Sequence, residues 1–172
     1  GIYNIKNKGV GKVKGQAASV VGEVNVDLWS KHLTGEQGLG VIPINEFNMC
    51  KFGAIDVDDY HRDPSSLHNK AKQLGLPLVA CRTKSGGTHL YLFTTEFIPA
   101  PLMKMKLEQF ASLMGVGGSE IFPKQTQLLV ERGDAGSWIN MPYFNGNSTE
   151  RYGYGHNGLP LKTVDAFLEY VQ

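Results

Sequence analysis

Cysteine is scarce. The chain of 172 residues has two, Cys50 and Cys81. Neither sits in a CxxC or metal-ligand spacing. That excludes a disulfide framework and a thiolate metal site, and both are expected to be reduced core thiols. Long apolar runs are missing: none approaches the ~18 residues of a membrane span, so no membrane partner is expected. A surplus of one charge is missing too. The net charge is +1, so no field over the whole molecule steers it to nucleic acid or lipid, and any basic surface must be local. There is no internal repeat and no low-complexity tract. Charged residues at 19% and hydrophobic residues at 41% suit a folded domain and exclude disorder.

What is present is uneven. Residues 1–14 carry Lys6, Lys8, Lys12 and Lys14 and no acid, which reads either as a solvated terminus or as a phosphate-tracking arm. Glycine gathers at 38–40, 85–87, 115–118 and 153–155, where turns or close approach of backbone to a ligand are expected. Strands are expected at 38–44, 51–58, 77–82, 88–94, 118–123, 127–131 and 137–143. A helix is expected at 64–75, with Pro64 in its first turn, Ser65 and Ser66 in its cap region and Gly75 at its stop. A second is expected at 101–115, with Leu102, Met105, Phe110, Leu113 and Met114 as its apolar side. Residues 145–158 read as a loop, and 161–171 as a closing helix capped by Thr163. The fold class is α+β, with a mostly antiparallel sheet in the second half.

Three stretches carry chemistry. In AIDVD the strand 51–58 ends in Asp56 and Asp58. Alternate residues of a strand share a face, so both carboxylates project together while Val57 turns away. Two anions this close repel unless a cation lies between them, and a hard divalent ion, Mg²⁺ or Mn²⁺, suits oxygen donors. In CRTKSGGTH, Arg82, Lys84, Ser85, Gly86 and His89 are parts for holding a phosphate. In GVGGSEIFPKQ, Glu120 is a possible third carboxylate, and Lys124 and Gln125 follow it. Each stretch alone also reads as ordinary: a solvated acidic turn, a charged hairpin, an exposed acid on an edge strand.

Taken in order, AIDVD, SGGTH and SEIFPKQ resemble the three motifs of the archaeo-eukaryotic primase superfamily, within it the primase-polymerases of viruses, plasmids and mobile elements. The resemblance covers about residues 38–143. It departs at the third motif, usually an Asp, where this chain has Glu120, with Glu131 and Asp134 as rivals. It implies a two-lobed core, an N-terminal α/β lobe and an RRM-like antiparallel sheet lobe, with the catalytic groups in the cleft between them. The whole chain then reads as one catalytic domain: residues 1–37 an arm and lobe entry, 38–160 the core, 161–172 the closing helix.

The resemblance also implies roles. Asp56, Asp58 and Glu120 hold Mg²⁺ or Mn²⁺. His89 contacts the triphosphate with help from Arg82, Lys84, Ser85 and Gly86. Lys124 and Gln125 lie near nucleotide or template, and Asn140 is a further nucleotide-binding candidate. The implied activity is template-directed DNA primase or polymerase chemistry in replication of a phage, plasmid or mobile element. The implied partners are a single-stranded DNA template, a primer and nucleoside triphosphates. A helical accessory domain or a helicase, in this or another chain, is expected because initiation in related enzymes often relies on one. Trp29, Tyr60, Phe122, Trp138, Tyr143 and Phe144 are candidates for stacking bases. The expected location is the cytoplasm, or the host cytoplasm if the source is viral. The competing readings are a non-catalytic RRM-like module that binds single strands without metal, and a two-metal nuclease.

Overall fold

The computed structural model of the chain describes residues 2–4, 16–20 and 22–172. Lys6, Lys8, Lys12 and Lys14 lie outside the described residues. The architecture is α+β: four α-helices and two four-stranded sheets, antiparallel throughout the described residues. In chain order the elements are β1 (Ile2–Asn4), β2 (Gln16–Ala18), α1 (Val26–Leu33), β3 (Gly38–Val41), β4 (Met49–Val57) and α2 (Pro64–Gln73). They continue with β5 (Val79–Arg82), β6 (Thr88–Pro99), α3 (Ala100–Leu113), β7 (Glu120–Phe122), β8 (Ile139–Asn140) and α4 (Val164–Val171). The first sheet runs β2-β1-β3-β8 and the second β5-β6-β4-β7.

The second sheet is a divider with two dry faces. The odd-numbered residues of β4, Ile55 and Val57, pack with Ala80, Leu90 and Leu92 against α2 and α3, where Leu67, Ala71, Met103, Leu107 and Ala111 are buried. The even-numbered Ala54 faces the other way, with Tyr91 and Phe122, onto the first sheet through Leu39, Ile139 and Met141. Strand alternation thus makes β4 serve two cores at once.

The helices follow local chemistry with some changes from expectation. The cap of α2 is Asp63, whose side chain accepts from Ser65 N at 3.0 Å, with Pro64 in the first turn. Helix α3 buries Ala100, Met103, Leu107 and Ala111, at 3- and 4-residue spacing, and its C-cap Met114 is buried too. Leu102, Met105 and Leu113, expected on its apolar side, are exposed instead. Thr163 caps α4 by accepting from Ala166 N at 3.1 Å. Helix α1 has no counterpart in the sequence reading. His32 docks it: its Nδ1 accepts from Leu39 N at 3.0 Å and its Nε2 lies 2.8 Å from Pro142 O.

Two strand expectations fail. Residues 127–131 form no ladder. Leu128 N donates to Asn48 Oδ1 at 2.7 Å, and a 3₁₀ turn follows at Val130–Arg132. The 137–143 strand shrinks to the two residues of β8.

Candidate active site

The site begins with register. Cys81 pairs with His89, His89 with Asp56, and Asp56 with Glu120. Directly opposed residues of antiparallel neighbours project to the same face, so one row crosses all four strands of the second sheet. That face is sealed by the first sheet near Ala54 and Tyr91. It opens one step further on, at Asp56. The carboxylates of AIDVD therefore stand where the dry interface ends.

His89 is held on both sides. Its Nε2 lies 3.3 Å from Asp56 Oδ1, and its Nδ1 lies 3.1 Å from the Tyr91 hydroxyl. Tyr91 donates to the main-chain oxygen of Asn140 at 2.6 Å. A carbonyl only accepts, so Tyr91 spends its one proton there, and its oxygen is left to accept from His89 Nδ1–H. Burial, with Cys81 and Asp56 adding to it, raises the Tyr91 phenol well above its ordinary range. It stays a neutral donor. The order Asn140–Tyr91–His89–Asp56 fixes the imidazole with Nε2 toward the carboxylate.

A cavity of about 150 Å³ opens against this chain of contacts. Asp56, Asp58, Arg82, Thr83, Lys84, Ser85, His89, Asn140 and Arg151 line it, with Cys81, Met141 and Pro142. Thus seven of the expected residues converge, from β4 and the residue after it, β5, the 83–87 turn, β6 and β8. The turn is closed by Thr83 N donating to Gly87 O at 2.9 Å. Gly87 is required by contact: a Cβ there would sit 2.7 Å from Val57 O. Its absence lets the turn lie against the end of β4. Gly86, at φ +95°, shapes the turn and does not line the cavity. Asn140 Oδ1 and Thr83 Oγ1 are buried and have no hydrogen-bond partner among the described residues. Buried orphan polar atoms are costly unless something fills the site.

Arg151 was missed by the sequence reading. It is 6% exposed, lines the cavity, and its guanidinium lies 4.7 Å from the Phe144 ring centroid. Nothing in STERYGYG marks it; a lone Arg in a polar Gly- and Tyr-rich stretch reads as surface. Its burial is made by the tertiary fold, where Tyr143 N donates to Arg151 O at 3.0 Å.

Other expected residues lie outside this cavity. Glu120 is opposite Asp56 in register, but Lys124 Nζ holds its carboxylate at 2.8 Å, and neither lines the first cavity. Gln125 is taken up by Ser137: its Nε2 donates to Ser137 Oγ at 3.0 Å and its Oε1 accepts from Ser137 N at 2.9 Å. Asp134 accepts from Leu129 N at 3.0 Å, and Glu131 is exposed on the 3₁₀ turn. Among the stacking candidates, Phe122 and Tyr143 are core residues, at 5% and 3% exposure, and cannot stack on a strand. Tyr60 is exposed and donates to Asp58 Oδ1 at 2.9 Å. That bond, ahead of burial and the Asp58 and Asp56 charges, raises its pKa.

The three expected carboxylates, Asp56, Asp58 and Glu120, line a second, broader opening together. Among the described residues no three His, Cys, Asp or Glu side chains stand together as a metal site. Two carboxylates do share the cavity, Asp56 and Asp58. Mg²⁺ usually takes one or two carboxylates plus water and substrate phosphates, so this donor set fits a divalent ion that arrives with phosphate. The cations around it (Arg82, Lys84, Arg151) suit that phosphate. Among the described residues no helix is long and apolar enough to cross a membrane.

The family model described as TOTE conflict system, Archaeo-Eukaryotic Primase domain, matches residues 3–154. No curated protein matches the chain.

Proposed function

The chain belongs to the archaeo-eukaryotic primase domain family of TOTE conflict systems, a family of primase/polymerase-type nucleotidyl transfer, and from that premise we propose a template-directed DNA primase or polymerase. It transfers a nucleotidyl group from a (deoxy)nucleoside triphosphate to a 3′-hydroxyl on a single-stranded DNA template. Mg²⁺ or Mn²⁺ is required. The observation that carries this reading is the single cavity in which Asp56 and Asp58 face Arg82, Lys84, Ser85, His89 and Arg151.

In this reading the acceptor 3′-oxygen bonds to the α-phosphorus. The bond from that phosphorus to the bridging oxygen of the β-phosphate breaks, pyrophosphate leaves, and the hydroxyl proton goes to solvent. Asp56 and Asp58 would hold the divalent ion, which bound there would lower the pKa of the attacking hydroxyl and offset charge on the departing pyrophosphate. Arg82, Lys84 and Arg151 bind the phosphates, and Ser85 and the Thr83 hydroxyl add neutral bonds. His89, oriented by Tyr91, faces the same phosphates. Asn140 Oδ1 accepts from a sugar hydroxyl. A cavity of about 150 Å³ is smaller than the ~300–1,000 Å³ of a cleft that engulfs a whole small molecule. It takes the phosphate chain and leaves the base outside, toward the template. A helical accessory domain or a helicase, in this chain or another, would serve initiation.

A non-catalytic RRM-like module would need an exposed aromatic sheet face. Here Tyr91 is fully buried and Phe122 nearly so, helices cover the opposite face, and Phe93, stacked beside Tyr91, is exposed only to 36%. The family description names a conflict system where the sequence reading expects replication of a mobile element. The proposed template is single-stranded DNA, with no replication role attached to it. The test is primer extension on a single-stranded template, with Mg²⁺, Mn²⁺ or EDTA, wild type beside Asp56→Ala. Metal-dependent extension lost in the variant supports the proposal; metal-independent product, or full activity in the variant, sinks it.

A further inference from the structure

Residues 143–146 form a strained turn. Tyr143 sits at φ +61°, Asn145 at +67° and Gly146 at +53°. Glycine takes that region freely and Asn tolerates it, but a bulky residue stays there only where its surroundings over-determine it. The surroundings of Tyr143 do so. Its N donates to Arg151 O at 3.0 Å, its hydroxyl donates to Leu161 O at 2.8 Å and accepts from Gly153 N at 3.1 Å, and its ring lies 4.8 Å from that of Phe167. Helix α1 grips the same turn. Asn145 N donates to His32 O at 3.0 Å, and a Cβ on Gly146 would stand 2.8 Å from Leu33 O.

What the turn delivers is Phe144. Its side chain is only partly buried, so packing alone gains too little to account for the strain. The ring meets the His32 imidazole edge-on at 5.6 Å, and that imidazole is already fixed by Leu39 N and Pro142 O. It also meets the Arg151 guanidinium, 4.7 Å from its centroid. Phe144 does not line the cavity and Arg151 does. The ring is thus the support, and the guanidinium is the part presented.

The chemistry of the pair suits that division. A guanidinium donates only in its own plane, so a ring face laid against it takes up no donor. The negative face of the ring attracts the cation, more strongly where water is shut out, and Arg151 is 6% exposed. An arginine left to itself loses rotamer freedom when it binds a phosphate. One already laid on a ring has lost that freedom beforehand.

We propose that Phe144 is a positioning residue for the nucleotide: the strained turn lays its ring against Arg151, and the preset guanidinium meets the phosphate chain without reordering. Phe144 touches no substrate and acts through Arg151 alone. The proposal rests on the nucleotidyl-transfer reading for the name of the ligand, and its test includes an anion that undergoes no transfer.

Mono-, di- and trifluorophenylalanine placed at position 144 keep the shape of the ring and withdraw charge from its face. The probes are a nucleoside triphosphate and inorganic tripolyphosphate, each with Mn²⁺ and without DNA. Affinity for both should fall stepwise along the series, by about tenfold in all, the scale of one desolvated cation–π contact. Phe144→Leu should lose as much, and Phe144→Tyr, which keeps the ring face, should not. In primer extension, KM for the nucleotide should rise in step while kcat holds. Equal affinity along the fluorinated series overturns the proposal, because a ring that only packs the turn does not register the charge of its face. Equal losses in the Leu and Tyr variants, or a fall in kcat at constant KM, also overturn it. A flat series in a protein that extends primers removes Phe144 from this role and leaves the transfer reading standing. A graded series in a protein that extends none keeps Phe144 in the role and counts against the transfer reading alone.

Discussion

His89 Nε2 faces Asp56 Oδ1 across 3.3 Å, from directly paired positions of β6 and β4. The pair joins the anionic and the cationic halves of the cavity. It also explains why a buried strand ends in alternating carboxylates: they begin where the sheet-on-sheet interface stops. Replacing Asp56 or Asp58 by Ala should reduce nucleotide incorporation by at least ~10²-fold, the scale of losing a preorganised charge at a reacting phosphate. The fold should persist, because Asp56 is only partly buried and Asp58 exposed. Single-turnover extension beside far-ultraviolet dichroism checks both halves.

Tyr91→Phe removes the hydroxyl between His89 Nδ1 and Asn140 O. Both are left without that partner at a fully buried position, so the expected cost is about 1–3 kcal/mol. Urea unfolding measures it. The freed imidazole should also raise KM for the nucleotide; an unchanged midpoint and an unchanged KM would refute the relay.

Arg151→Lys keeps the charge and loses the planar fork stacked on Phe144. Nucleotide affinity should fall about 10- to 100-fold, the worth of hydrogen bonds to a charged group, ~1.5–3 kcal/mol. Titration of triphosphate with Mn²⁺, without DNA, is the measurement. No loss would remove Arg151 from the phosphate site.

Two buried histidines set an acid limit. His32 and His68 both have pKa values below the ordinary 6.5, burial being the first cause in each. For His32 the Arg151 charge adds to this, while its bond to Pro142 opposes it. Protonating His32 Nδ1 would set one N–H against Leu39 N–H. Among the described residues neither ring nitrogen of His68 has a hydrogen-bond partner; Lys72 lowers its pKa further, and the Gly155 backbone pulls the other way without reaching bonding geometry. A depressed folded-state pKa means the unfolded chain binds more protons. Stability is therefore full above 6.5 and is lost as pH falls from there toward the folded-state values. Urea midpoints should drop between pH 7.5 and 5.5, and His68→Leu should flatten that drop.

Period-two alternation made β4 readable, and with it the shared face of Asp56 and Asp58. Pro64 and Thr163 marked helix starts correctly. Helix α1 was missed although Asn25 caps it and Asp27 pairs with Lys31 at 2.8 Å; the run is short, and its polar face dominates the local pattern. Residues 127–131 looked like a strand because they are apolar, but Asn48, distant in sequence, takes the amide that a ladder would have used. Glu120 was placed opposite Asp56 by a register no local signal reveals, and its pairing with Lys124 follows from their four-residue spacing across the end of β7. Arg151 was invisible because its burial depends on chain segments far from it.

The two faces of β4 also act as a proofreader of folding. Slipping this strand by one residue against β6 would exchange its faces. Asp56 would then be driven among Leu90, Met103 and Leu107, and Ile55 would be turned into water at the cavity mouth. An unpaired carboxylate in such a core costs several kcal/mol, enough to depopulate the misregistered chain. The acids that serve the chemistry are thus also the ones that reject the wrong pairing before any chemistry is possible.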